Sequence, residues 1–292
     1  MLCGAVVIIS NHRGEVIMLN KTTKSVLFIA FSSLFSLHAA QAESTLDTVI
    51  KAKKLRCAVV LDAPPSGFIT PDNKPDGYDV AYCNDLAKSL GVEPVIVQTP
   101  ASDRIPALVS KRVDIVVGST TITPERAMTV AFTQPYVNYT ITVMTRKETG
   151  IKSYDDLKGK KLGAVTGSTF EQLFNKELQG RWKDTGTTYT GYGSDADVFM
   201  ALQQGKVDGI LQATSVYSTL EKSGQFPTFT AAGLAPLSDM DGLVVRRGDP
   251  EFLNWARVFV WHQVVSGRYA ELYKKYMGDG PLPSLTMAGV DF

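Results

Sequence analysis

From residue 44 the chain alternates short apolar runs with amphipathic stretches. Residues 55–61 are almost wholly apolar and predict a strand. Residues 78–90 carry a stripe of Val80, Cys83, Ala87 and Leu90, spaced for one face of a helix, with Asp79 near its start. Residues 94–98 predict a second strand. Ser102 is placed to cap a helix running to about residue 111, with Pro106 in its first turn. Residues 113–118 predict a third strand, apolar apart from Asp114 at its entry. This β-α-β-α-β order implies a parallel sheet covered on both faces.

The pattern then restarts. Residues 161–165 and 207–211 predict strands, and 168–176 and 194–204 predict helices. Ala107-Leu108-Val109-Ser110-Lys111-Arg112-Val113-Asp114 is matched by Ala201-Leu202-Gln203-Gln204-Gly205-Lys206-Val207-Asp208. Both copies are a helix end, a tight turn and a buried strand, so two similar lobes are expected. Extended segments at 133–147 and 242–246 would cross between them. Two crossings make a hinge, which suits closure around a ligand. Asp249 and Pro250 predict the start of a long helix. Gly267 breaks it before a last helix over 268–277. Trp255, Phe259 and His262 are read as one core-facing stripe.

The N-terminus adds an address. Lys21 and Lys24 precede an apolar run over 25–37, about thirteen residues and too short to span a bilayer of roughly 30 Å. Ala40 and Ala42 suit signal-peptidase cleavage, with Glu43 the first mature residue; a membrane anchor is the alternative. Residues 1–42 are thus read as a signal peptide with an upstream extension, translation starting at Met18. Export to the periplasm of a Gram-negative cell follows.

Composition narrows the function. Thirty Lys plus Arg against 29 Asp plus Glu leave no basic footprint for nucleic acid. One histidine, His262, follows the leader, so neither a metal nor another cofactor is expected. Cys57 falls in the first strand and Cys83 on the next helix's apolar stripe. They are read as buried free thiols, with pairing in an oxidising compartment as the alternative.

The segment from Gly118 through Ser119 and Thr121 to Thr123-Pro124-Glu125-Arg126 carries the chemistry. It follows a buried strand, and open α/β sheets bind ligands beyond the carboxyl ends of their strands. Ser119 and Thr121 offer hydroxyls, and Arg126 offers a guanidinium able to hold a carboxylate with two parallel hydrogen bonds. An exposed Arg126 paired with a neighbour is the plainer reading.

Across Pro75-Asp76-Gly77-Tyr78-Asp79, Arg104-Ile105-Pro106-Ala107-Leu108, Thr121-Ile122-Thr123-Pro124-Glu125-Arg126, Gly163-Ala164-Val165-Thr166-Gly167-Ser168-Thr169 and Gly267-Arg268-Tyr269-Ala270-Glu271-Leu272, the chain resembles the polar amino-acid-binding proteins of ABC importers, extracellular solute-binding protein family 3. The resemblance implies a two-lobed periplasmic binding protein fold of type II, with lobe one over 43–140 and 240–292 and lobe two over 141–239. It implies a monomer that captures an amino acid or related small carboxylate and passes it to an inner-membrane permease. Arg126 would clamp the carboxylate, Ser119 and Thr121 would serve lobe one, and Ser168 and Thr169 would join from lobe two. The start of the helix at Ser168 would favour an anion by itself.

One position departs from the family. The acid that usually receives the ligand's ammonium is replaced by Ala213. Asp62, Asp239 and Asp241 are the substitutes considered; Asp208 is excluded because Asp114 is its twin at the same non-site position. Phe68 either packs on the ligand or belongs to the core, and small Ala63 and Ala101 leave room for a larger ligand. A dehydratase on the same scaffold, with Glu171 and Asp62 the acids near the cleft, is the rival reading. A subunit serving a sensory receptor is another.

Overall fold

The computed structural model describes residues 9–10, 16–17 and 43–286. The chain divides into two compact units, residues 1–43 and 44–292. In the first, β1 (Ile9–Ser10) and β2 (Val16–Ile17) pair antiparallel. The expected leader, from Met18 through Ala42, lies outside the described residues. Among the described residues no helix is long and apolar enough to cross a membrane.

The second unit begins with α1 (Thr45–Ala52), capped by the Ser44 hydroxyl. Next come β3 (Lys54–Val59), β4 (Asp62–Ala63), β5 (Gly67–Ile69), β6 (Pro75–Asp76), α2 (Tyr78–Leu90), β7 (Glu93–Gln98), α3 (Arg104–Val109), β8 (Ile115–Val116), α4 (Pro124–Ala127) and the long β9 (Val130–Arg146). The order restarts with β10 (Lys161–Val165), α5 (Thr169–Gln179), β11 (Thr188–Tyr192), α6 (Asp195–Gln203), β12 (Gly209–Ala213), α7 (Thr214–Ser223) and the long β13 (Phe229–Arg246). Helices α8 (Pro250–Val265) and α9 (Arg268–Met277) follow.

The main sheet runs β11-β10-β12-β9-β13-β8-β3-β7. Each end is a parallel triple, β7-β3-β8 or β11-β10-β12, bordered by one long antiparallel strand. The two long strands pair with each other and carry the chain from one lobe to the other and back. The fold is therefore a two-lobed α/β structure with two crossings.

The sequence repeat has a structural counterpart. Arg246 Nη1 donates to the Leu108 and Val113 carbonyls, and Arg146 Nη1 donates to those of Leu202 and Val207. Asp114 accepts from the Arg56 amide and Asp208 from the Lys161 amide, each tying a strand entry to its neighbour. Lys111 and Gly205 occupy the same left-handed turn position, φ 61° and 70°. An arginine from each crossing strand thus braces one lobe's turn.

Three expectations need correction. Cys57 and Cys83 form a disulfide rather than free thiols, because α2 packs its apolar face on β3 and brings their Cα atoms to 6.2 Å. On α8 the buried residues are Phe252, Ala256, Phe259, Val260 and Gln263; Trp255 is half-buried, and His262 is exposed at the edge of that face. The third predicted strand is also shorter than expected, only Ile115–Val116, because Asp114 turns its side chain to Arg56 at the entry.

Candidate functional site

The lobes meet at the carboxyl ends of β3, β8, β10 and β12. A cavity of about 70 Å3 lies there, room for roughly five waters. Lobe one contributes Val60, Ala63, Ser66, Ala101, Arg104, Ser119, Thr121 and Tyr139. Lobe two contributes Val165, Ser168, Thr169, Phe170, Asp195, Gln212, Ala213 and Val216, and the crossing strand β13 contributes Asp239.

Ser119 stands at the turn after β8 with φ 45°, a left-handed conformation that costs a non-glycine residue on the order of 1 kcal/mol. Three contacts impose it. The Tyr136 hydroxyl accepts from the Ser119 amide at 3.1 Å, and the Ser119 hydroxyl donates to Asp79 at 3.1 Å. Arg104 Nη1 donates to the Gly118 and Ser119 carbonyls at 2.5 and 2.9 Å. Gly118 is thus a buried acceptor beneath the cavity. The Tyr136 hydroxyl in turn donates to Asp79 at 2.7 Å. Burial raises the Asp79 carboxyl to about 7, against the lowering effect of Tyr136, Ser119 and Arg104.

Arg126 is buried in the seam between the lobes rather than in the cavity wall. Its Nη1 donates to the Thr121 carbonyl at 2.8 Å and its Nη2 to the Gly167 carbonyl at 2.9 Å, so it ties the two lobes directly. Burial, reinforced by Arg104, lowers it to about 10, and Asp241 and Asp239 offset part of that shift. It remains charged at neutral pH. Two of its five N–H groups are engaged by these carbonyls.

Across the seam, the Ser168 hydroxyl caps α5 by accepting from the Glu171 amide at 3.1 Å. The Thr169 and Thr121 hydroxyls approach to 3.3 Å, one from each lobe. Thr121 donates to Asp239 Oδ1 at 2.5 Å. Asp239 and Asp241 stand two residues apart on β13, hence on one face of the strand. Both are buried, and burial raises both; Asp239 pushes Asp241 further, while Arg104 and Arg126 act against the rise. Asp241 lies beneath the site and does not line it.

The remaining expected residues sit at the margin. Asp62 Oδ2 accepts from the Ala196 amide across the cleft at 3.3 Å, which places it on the rim. Phe68 is half-buried in the small β4-β5-β6 sheet, outside the cavity wall. Ala63, Ala101 and Ala213 do line it. Arg104, Asp195 and Gln212 are among the lining residues missed from sequence. Arg104 is a first-turn helix residue, and Asp195 stands at a helix start after the Ser194 cap, where an acid is favoured without any ligand. Gln212 lies within β12. It donates to Asp195 Oδ1 at 2.8 Å.

In electrostatic terms, four carboxyl groups (Asp79, Asp195, Asp239 and Asp241) surround two guanidiniums, those of Arg104 and Arg126. The arrangement offers an anion the start of α5 beside the Arg126 guanidinium. It offers a cation Asp239 and Asp195. A zwitterion satisfies both.

Residues 55–279 match the family described as bacterial extracellular solute-binding proteins, family 3. The L-cystine-binding protein TcyJ of Escherichia coli K12 is 28% identical over 256 residues, covering 87% of this chain and 93% of that protein. Among solved structures, a mutant of ArgBP from T. maritima superposes with a TM-score of 0.73 at 25% identity, over 80% of this chain and 100% of that one. An ancestral amino acid-binding protein, described as a precursor of cyclohexadienyl dehydratase, superposes with a TM-score of 0.71 at 29% identity, over 80% and 100%. The two-lobed α/β fold is that of the type II periplasmic binding proteins.

Proposed function

Because the chain belongs to the bacterial extracellular solute-binding proteins, family 3, we propose that it captures an α-amino acid in the periplasm by lobe closure and presents it to an inner-membrane ABC permease. The ligand's carboxylate docks on the Arg126 edge, with the Ser119 and Thr121 hydroxyls beside it. Lobe two then adds Ser168, Thr169 and the unpaired amides at the start of α5. Closure removes water, which strengthens each charged hydrogen bond.

One observation carries this reading. The acid missing at Ala213 has a substitute on the other side of β9. Ala213 pairs with Ile141 of β9, while Asp239 pairs with Tyr139 of the same strand. Asp239 therefore reaches the same cavity from the crossing strand, beside Thr121. It receives the ligand's ammonium, and its raised affinity for a proton is exchanged for affinity for that cation.

The dehydratase reading has less to stand on. Glu171 is engaged by the Gly167 amide at 2.6 Å and the Tyr189 hydroxyl at 3.1 Å, both structural contacts at the start of α5. Asp62 is on the rim. We therefore read the chain as a binding protein.

A thermal-shift screen of amino acids, followed by calorimetry, tests this. Asp239→Asn should cost about 2–5 kcal/mol of affinity, as for truncation of one member of a buried charged pair. Adding Ala213→Asp to that variant should restore binding. If Asp239→Asn binds the same ligand as tightly as the parent, the assignment of the ammonium fails.

A further inference from the structure

Beyond the groups that would hold an amino acid's head, the cavity wall carries a second pair of opposite charges, one on each lobe. Arg104 is the first residue of α3 in lobe one, and Asp195 is the first residue of α6 in lobe two. Both line the cavity and attract each other, although Asp241 and Asp239 act on Arg104 more strongly than Asp195 does, and among the described residues no ion pair joins Arg104 to Asp195. Arg104 is fixed by its Nη1 bonds to the Gly118 and Ser119 carbonyls, which leaves its other edge to the cavity. Asp195 is fixed from behind by Gln212, whose own carbonyl oxygen accepts from the Ala213 amide.

We infer that Arg104 and Asp195 form a subsite that reads the far end of the ligand's side chain, and that it selects an end offering both a hydrogen-bond acceptor and a donor: a carboxamide, or the second head of a bis-amino acid. This rests on the proposed capture of an α-amino acid in the same cleft. A guanidinium alone would favour an acidic side chain, and a carboxylate alone a basic one. Lining one cavity from the two lobes, they match neither: an acidic end would meet Asp195, and a basic end would meet Arg104. Both penalties arise in a site with little water, where like-charge contact is least screened. Asp62 strengthens the argument. It holds the Ala196 amide at the rim, and its charge adds to the repulsion that pushes the Asp195 carboxyl up to about 7, after burial itself. A donor from the ligand relieves that repulsion.

Calorimetry on the exported protein, with glutamine, cystine, glutamate, arginine and alanine, tests the subsite. Glutamine or cystine should bind at least about tenfold tighter than the other three, the size of one charge-assisted hydrogen bond. Tighter binding of glutamine would assign the amide, and of cystine the second head. Asp195→Asn should shift the glutamate-to-arginine ratio at least about tenfold towards glutamate, and Arg104→Met, checked for its fold by circular dichroism, at least about tenfold towards arginine. A ratio unmoved by Asp195→Asn, or alanine binding as tightly as glutamine and cystine, overturns the subsite and leaves amino-acid capture standing. No binding of any of the five overturns both.

Discussion

Asp79→Asn isolates the buried acid that holds Ser119 in place. Asp79 has no solvent exposure, and its two oxygens accept from the Tyr136 and Ser119 hydroxyls. Burial raises its carboxyl from 3.8 to about 7. A group that binds its proton more tightly when folded stabilises the fold while protonated. Its contribution is full below about pH 4 and is lost as pH rises towards 7. Three pK units at 1.36 kcal/mol each give a loss of about 4 kcal/mol across that window. Asparagine is the neutral isostere: its carbonyl still accepts from Tyr136, and its amide can donate to Ser119. Urea unfolding of both proteins should therefore be run at pH 4, 5.5, 7 and 8 without ligand, and the two stabilities subtracted. Subtraction cancels Asp195, Asp239 and Asp241, which both proteins share. The variant should gain about 4 kcal/mol on the parent between pH 4 and 8. A difference that stays within about 1 kcal/mol at every pH would show that Asp79 is not held protonated by burial.

Other perturbations follow from the same contacts. Reducing the Cys57–Cys83 disulfide releases a loop spanning a sequence separation of 26, so unfolding with and without reductant should differ by ~3.5 kcal/mol on the chain-entropy account. Equal midpoints would contradict a pairing that constrains the chain. Arg146→Met leaves the Leu202 and Val207 carbonyls without their shared donor. It should cost about 2–4 kcal/mol and speed amide exchange over residues 202–209, while the twin turn at 108–113, braced by Arg246, keeps its protection.

Much of the fold is legible in the chain because local signals and tertiary packing agree. Helix α2 begins and ends where its apolar stripe does, at Tyr78 and Leu90. Asp249 caps α8 and Pro250 opens it, as the pair predicts. The twin turns share a sequence, a left-handed position and a bracing arginine. Legibility fails where a residue's role depends on what arrives from elsewhere. Arg104 and Asp195 are each ordinary first-turn helix residues, and only the meeting of the two lobes brings them to one cavity. Asp239 could be named as a substitute for the missing acid, but its reach depends on pairing with Tyr139 across β9. His262 shares a stripe with Trp255 and Phe259 in sequence, but the buried face of α8 is centred on Phe252, Ala256, Phe259 and Gln263 and leaves His262 at its exposed edge. The pairing of the cysteines needed the packing of α2 on β3, which spacing along the chain does not specify.

The most direct test is a crystal structure of the protein with the amino acid that binds it most tightly. The account predicts the ligand's ammonium within about 3 Å of the Asp239 carboxylate, and its carboxylate between Arg126 and the start of α5 at Ser168 and Thr169. A ligand lying the other way round, with its carboxylate against Asp239, or seated outside the seam between the lobes, would contradict it.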